Sequence, residues 1–163
     1  MDRSMARQKP VDRRVLLAGL FAAGAAIGGG YYAWTWRRPF GGPALSVAEA
    51  HARAASGDIL LVDIRRPDEW AETGVGEGAH PLDMRRSDFV AALSRLREAD
   101  PARPVALICA RGVRSSQLSA QLDAAEIGPL IDVPEGMLGS GAGPGWLAAG
   151  LPVVPVADAG ALQ

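Results

Sequence analysis

The chain has 163 residues and one cysteine, Cys109, set in the run Leu107-Ile108-Cys109-Ala110-Arg111-Gly112-Val113-Arg114-Ser115-Ser116. An apolar stretch ends at the cysteine, a tight loop containing Gly112 follows, and a helix is expected to begin near Arg114. In that geometry successive backbone N–H groups of the loop can turn inward at the sulfur, and the helix N-terminus adds partial positive charge. Arg111 and Arg114 add formal charge. Each of these favours an anion at Sγ, so the thiolate is expected over the thiol. A persulfide terminus is also anionic and needs the same cradle. Gly112 suits a bowl-shaped loop, whose backbone conformation side chains disfavour. A single cysteine excludes an intramolecular disulfide and an all-cysteine zinc site. The competing reading of a lone cysteine is an inert core residue. His51 and His80 have no second ligand or nucleophile beside them and are read as bland. No metal or cofactor is expected.

Short apolar runs alternate with helical patterns and set the frame for that loop. Ile59 to Val62, Val105 to Ile108 and Leu130 to Val133 read as strands covered on both faces. Ser46 with Glu49 forms a capping-box pattern that opens a helix running to about Ala55. Pro67-Asp68-Glu69-Trp70 begins a helical turn, and Gly74, Gly76 and Gly78 mark a loop. Asp88 to Glu98 reads as an amphipathic helix with Phe89, Leu93 and Leu96 inward. A further helix runs from Arg114 to about Glu126 with Leu118 and Leu122 on one face. Trp146 to Ala149 makes a last helical turn, and Trp70 and Trp146 are assigned to the core. This alternation predicts an α/β fold with a parallel sheet. Ligands in such sheets sit beyond the carboxyl ends of the strands. Asp63 and Cys109 each follow a buried strand and share one crevice if the two strands are neighbours.

The first forty residues differ in character. No residue from Val15 to Trp36 is charged, and these 22 residues would span about 33 Å as a helix, enough to cross a hydrocarbon core. Tyr31, Tyr32, Trp34 and Trp36 crowd its C-terminal end, where amphipathic rings favour the membrane interface. Residues 1–38 carry seven Arg or Lys against Asp2 and Asp12, a net +5, so the remainder carries −6 of the overall −1. More basic residues precede the apolar segment than follow it, which predicts a cytoplasmic N-terminus and an exported domain, periplasmic in a bacterium. Arg13-Arg14 before the apolar run also resembles a twin-arginine signal. No small-x-small cleavage site precedes Arg37, so the anchor is expected to be retained. The predicted organisation is an anchor over 1–38, a linker over 39–43, a domain over 44–156 and a tail over 157–163. An acidic domain argues against nucleic acid as its partner.

Four segments in order resemble the rhodanese family. Cys109 to Ser115 resembles its active loop, C-x-x-G-x-R-S. Leu61-Val62-Asp63-Ile64-Arg65 with Glu69-Trp70 is similar to its V-D-V-R-x-x-x-E-[YWF] segment. Thr73-Gly74 with Gly78-Ala79 resembles its G-H-I-P-G-A loop, and Gly145 to Val153 its terminal G-W-x-x-A-G-L-P-V. The chain departs at Val75, where the family often has His, and at Glu77, where it often has Pro. Pro134 to Pro144 is unusually rich in Gly and is read as an extra surface loop near the site.

The resemblance implies a five-stranded, mostly parallel sheet with helices on both faces, behind one N-terminal apolar helix. It implies Cys109 as nucleophile, with Ala110, Arg111, Gly112, Val113, Arg114 and Ser115 as the sulfur cradle and Arg111 foremost in meeting an anionic donor. Asp63 and Arg65 would lie at the crevice mouth, Asp63 equally well as a structural partner for a loop arginine. Arg66, Arg85 and Arg86 are read as surface residues. The implied activity moves sulfane sulfur from a thiosulfate-like donor to cyanide or a thiol, without a cofactor. Two other readings stay open. One is a persulfide carrier that hands sulfur to a partner protein. The other is a cysteine phosphatase or arsenate reductase, whose loops place Arg six positions after Cys, where this chain has Ser115.

Overall fold

The computed structural model describes residues 39–159. The apolar segment 15–36, and with it the expected membrane anchor and signal, lies outside the described residues. Among the described residues no helix is long and apolar enough to cross a membrane.

Three apolar runs become strands β1 (Leu60–Asp63), β4 (Val105–Ile108) and β5 (Leu130–Val133), every residue of which is buried. Between them in sequence lie two short strands, β2 (Val75–Gly76) and β3 (Ala79–Pro81), and a final one, β6, spans Val153–Val154. The main sheet is parallel throughout, in the order β3-β1-β4-β5. Its register sets Asp63 beside Ile108 and Ile108 beside Val133, so β1, β4 and β5 end together at one edge.

Continuous apolar strands make sense only if both sheet faces are covered, and two clusters cover them. On one face Leu60, Val62, Val105, Leu107 and Leu130 pack with Phe89 and Leu93 of α3 (Phe89–Leu96) and Leu118 and Leu122 of α4 (Val113–Ala124). On the other, Leu61, Ala106, Ile108, Ile131 and Val133 pack with Val47, Ala50 and Ala54 of α1 (Val47–Ala55) and Trp146 of α5 (Gly145–Ala148). The period-two alternation of strand side chains divides them between the faces. Each fully buried Leu, Ile or Val contributes about 1.5–3 kcal/mol of transfer free energy. The α1 capping box forms as expected, with Ser46 Oγ accepting from Glu49 N–H at 3.3 Å and Glu49 Oε2 accepting from Ser46 N–H at 2.9 Å. Helix α2 (Pro67–Thr73) starts on proline, whose missing N–H costs nothing in a first turn.

The sheet has four strands where five were expected. The fifth position, outside β5, is taken by a single bridge at Ala44. Asp132 N–H donates to Pro43 O and Leu45 N–H to Asp132 O, both at 3.0 Å. Pro43 has no N–H to extend the ladder, and Ser46 already caps α1, so the pairing stops at one residue. The glycine loop also differs from expectation. It holds β2, which pairs antiparallel with β6 apart from the main sheet, and β3, the outer strand of that sheet. Phe40, placed in the linker by sequence, is a core residue, and its N–H donates to Ser116 Oγ at 3.3 Å.

Candidate active site

Strand β4 delivers Cys109 to the carboxyl edge of the sheet, and α4 begins four residues later. Gly112 is the residue before the helix, with φ +79°, a left-handed conformation only glycine adopts without strain. A Cβ there would also strike the carbonyl oxygen of Pro134. Cys109 sits on the floor of this turn, only 1% exposed. Its Sγ lies 3.6 Å from Ser115 Oγ, and Ser115 Oγ donates to Gly112 O at 3.2 Å.

The segment after β5 grips the loop from outside. Met137 N–H donates to Cys109 O at 2.9 Å, and Leu138 N–H to Ala110 O at 2.8 Å. Gly136 packs so closely on the Ala110 backbone that a Cβ would meet it at 2.6 Å. Glu135, itself buried, accepts from Val47 N–H and Gly145 N–H, each at 3.2 Å. Its carboxylate thereby joins the first turns of α1 and α5, where negative charge is favoured. Residues 134–139 therefore form a clasp rather than a surface loop, while Gly141, Ala142 and Pro144 beyond them are exposed. Gly136 permits this close backbone approach to the cysteine loop, and Gly139 and Gly143 permit the stretch to fold back on itself.

The cradle residues differ in what they offer. Arg114 reaches from the first turn of α4 to Glu69 on α2, its Nη1 and Nη2 on the two carboxylate oxygens at 2.8 and 2.7 Å. This pairing raises the Arg114 pKa, with the charge of Cys109 a lesser contributor, and lowers that of Glu69 to about 2. Arg111 is exposed, its Nη1 3.4 Å from Gly139 O, and Val113 is exposed beside it. Ala110 is half-buried.

Asp63 and Arg65 do not line a mouth. They are 0% and 1% exposed and paired with each other, Nη2 to Oδ2 at 2.7 Å and Nε to both carboxylate oxygens at 3.0 Å. Nη1 donates to Glu69 O and Thr73 Oγ1, and Nη2 also to Gly74 O. A guanidinium has five N–H groups, and these contacts occupy them all. Arg65 therefore has no donor left for a substrate anion, which corrects its expected place in the cradle. It ties the end of β1 to both ends of α2, and so fixes the helix that carries Glu69. Asp63 is thus the structural partner of a loop arginine, Arg65, which follows it in the connection from β1 to α2.

Sequence reasoning missed Glu69 as a site residue, although it lay in a quoted motif, and missed Glu135. His51 Nε2 lies 3.1 Å from Glu77 Oε2, and its ring stands edge-on to Trp146, away from the cysteine loop in sequence and in contacts. No group of three or more His, Cys, Asp or Glu among the described residues could hold a metal ion.

A parallel, doubly wound sheet with one cysteine at the mouth of a strand–loop–helix turn defines a cysteine-centred α/β domain. Residues 46–138, more than half of the chain, match the Rhodanese-like domain family. The chain belongs to that family, which is of sulfurtransferase type. A polysulfide-sulfur transferase homodimer from Wolinella succinogenes shares the fold with a TM-score of 0.56 at 22% identity, over 82% of this chain and 89% of that one. A protein of unknown function from Rhodopseudomonas palustris, described as a possible tyrosine phosphatase, gives 0.52 at 24% identity over 69% and 84%. A protein from M. tuberculosis gives 0.51 at 27% identity over 70% and 98%. No curated protein compared with the chain matches it.

Proposed function

We propose that the protein is a sulfurtransferase that carries sulfane sulfur as a persulfide on Cys109. The observation that carries this reading is the seat of the cysteine: a strand end, a left-handed glycine and a helix start enclose one sulfur atom, with Ser115 Oγ 3.6 Å away. In the first step the Cys109 thiolate attacks the outer sulfur of a donor such as thiosulfate. The donor's S–S bond breaks, sulfite leaves with the electron pair, and a Cys109 persulfide remains. In the second step cyanide or a thiolate attacks the terminal sulfur, leaves as thiocyanate or a persulfide, and returns the Cys109 thiolate. This is covalent catalysis with ping-pong kinetics. Loop amides and the start of α4 act as a fixed anion hole in both steps.

Burial of the cysteine shapes the reaction. Only a slender group reaches Sγ, whereas the outer atom of the persulfide stands about 2 Å farther out, one S–S bond length. Arg111, exposed at the rim, is the side chain placed to draw in an anionic donor. The same burial supports a second reading, a carrier that discharges only to a partner protein able to insert its thiol. Phosphatase or arsenate chemistry is disfavoured because Arg114 comes one position early and both its terminal nitrogens are held by Glu69.

We also propose that residues 15–36 anchor the chain in a membrane with the domain exported. The uncharged run and its basic flank support this. Resistance to carbonate extraction, with loss of the domain to external protease in intact spheroplasts, checks it.

The central experiment is a thiosulfate:cyanide assay on the detergent-solubilised full chain beside Cys109→Ser. Thiocyanate production that disappears in the variant is expected, and equal rates would refute the proposal. Intact mass after thiosulfate treatment separates enzyme from carrier. A gain of one sulfur without turnover on free acceptors selects the carrier. A phosphotyrosine-analogue assay tests the phosphatase alternative.

A further inference from the structure

We infer that Ser115 is the side-chain donor that holds negative charge on Cys109, changing its hydrogen-bond partner as the sulfur changes state. The inference rests on the proposal that Cys109 is the sulfur-carrying atom. Ser115 is fully buried. It is the third residue of α4, and helical Cβ atoms tilt toward the N-terminus, which aims its hydroxyl back at the cysteine turn. Oγ therefore stands between two groups, 3.6 Å from Sγ and 3.2 Å from Gly112 O.

A hydroxyl has one hydrogen to give and two lone pairs to receive with. While Cys109 is a thiol, S–H donates to Oγ and O–H donates to Gly112 O, so both groups are satisfied. Once the thiol has lost its proton, Sγ can only accept. Rotation about Cβ–Oγ then turns the Ser115 hydrogen from the Gly112 carbonyl to the sulfur, with no movement of the backbone. Gly112 O still accepts from Ser116 N–H at 3.2 Å, so the carbonyl is not stranded by the turn. When sulfur is loaded, the charge moves out to the terminal atom, Sγ becomes neutral, and the hydroxyl is released to Gly112 again.

No other described side chain duplicates this donor. Among the described residues, Ser115 Oγ is the only side-chain polar atom within hydrogen-bonding distance of Sγ. Arg114 is engaged with Glu69, and Arg111 lies out at the rim beside Gly139. Ser115 thus acts on the unloaded sulfur, both when it attacks the donor and when it is expelled from the persulfide.

The test is alkylation of the full chain by iodoacetamide, followed by intact mass at pH 7 and at pH 9.5. Wild type is compared with Ser115→Ala and Ser115→Thr. Hydrogen bonds to charged groups contribute about 1.5–3 kcal/mol, so Ser115→Ala should alkylate roughly tenfold or more slowly at pH 7. The deficit should shrink to about twofold at pH 9.5, because raising the pH supplies the thiolate that the lost hydrogen bond no longer favours. Ser115→Thr keeps the hydroxyl and should restore the pH 7 rate. A variant that merely loosened the turn would change both rates alike, which would overturn the inference. So would a Ser115→Ala ratio of the two rates equal to that of wild type. Alkylation needs no sulfur donor, so failure of the sulfurtransferase assay leaves this test readable.

Discussion

Removing the carboxylate of Glu69 tests the link between α2 and the cysteine loop, and its size follows from the ion pair itself. The Arg114 guanidinium holds Glu69 down from its ordinary 4.5 to about 2. One pKa unit is worth 1.36 kcal/mol, so the shift has an upper bound of roughly 3 kcal/mol. The two side chains keep 17% and 28% of their surface, and solvent screening reduces the yield to about 1–2 kcal/mol. A carboxylate whose folded pKa lies below its unfolded value stabilises the fold fully above the unfolded value. The contribution drains away as pH falls from about 4.5 toward about 2. Glu69→Gln preserves shape, keeps one acceptor and removes the charge. Urea denaturation at pH 7 should show a loss of about 1–2 kcal/mol, and the difference from wild type should shrink steadily across that acid window. A difference unchanged between pH 7 and pH 2.5 would refute the reasoning, because it would show that the charge contributes nothing. Sulfur loading gives an independent reading. Release of Arg114 from its anchor should slow the first half-reaction more than it weakens donor binding.

Gly112→Ala meets both a left-handed backbone, which costs an ordinary residue about 1–2 kcal/mol, and the Pro134 carbonyl. A loss above about 2 kcal/mol with abolished sulfur uptake is expected, checked against Val113→Ala, which should stay within about 0.5 kcal/mol for an exposed position. Arg65→Lys replaces a five-donor fork by a point charge and leaves Asp63 incompletely paired in the core. Chemical denaturation should register about 3 kcal/mol lost. Bulky aromatic disulfide reagents should react with Cys109 far more slowly than iodoacetamide in the unloaded protein. Loading with sulfur should narrow that gap, as followed by mass.

The parts of the molecule legible in its sequence are those whose signals are local. Ile59 to Val62, Val105 to Ile108 and Leu130 to Val133 announce buried parallel strands because the runs are apolar throughout except at Asp132. Ser46 and Glu49 announce a helix start because the cap is built within four residues. Cys109 could be placed at a sheet edge for the same reason. What escaped depends on partners far away in the chain. Arg65 reads by motif as a residue of the crevice mouth, and only the joint presence of Asp63, Thr73 and two carbonyls makes it a core residue. Glu69 and Arg114 are 45 residues apart, and nothing in either segment names the other. The pairing of β2 with β6 joins two-residue strands too short to show any period. The clasp at 134–139 was mistaken for a surface loop because glycine richness signals both freedom and close approach, and only tertiary contact tells them apart.

The clasp also has an evolutionary reading. It holds the cysteine turn through main-chain atoms, Met137 N–H on Cys109 O and Leu138 N–H on Ala110 O, so the seat of Cys109 is indifferent to most side chains around it. Leu138 and Val113 both point into solvent at this rim. A lineage can exchange such residues, and with them the molecules it accepts sulfur from or gives it to, without disturbing the chemistry beneath. Gly112 and Gly136 are denied that freedom, since any side chain there collides with backbone. The rim is thus where substitutions are tolerated, and the turn below it is where they are not.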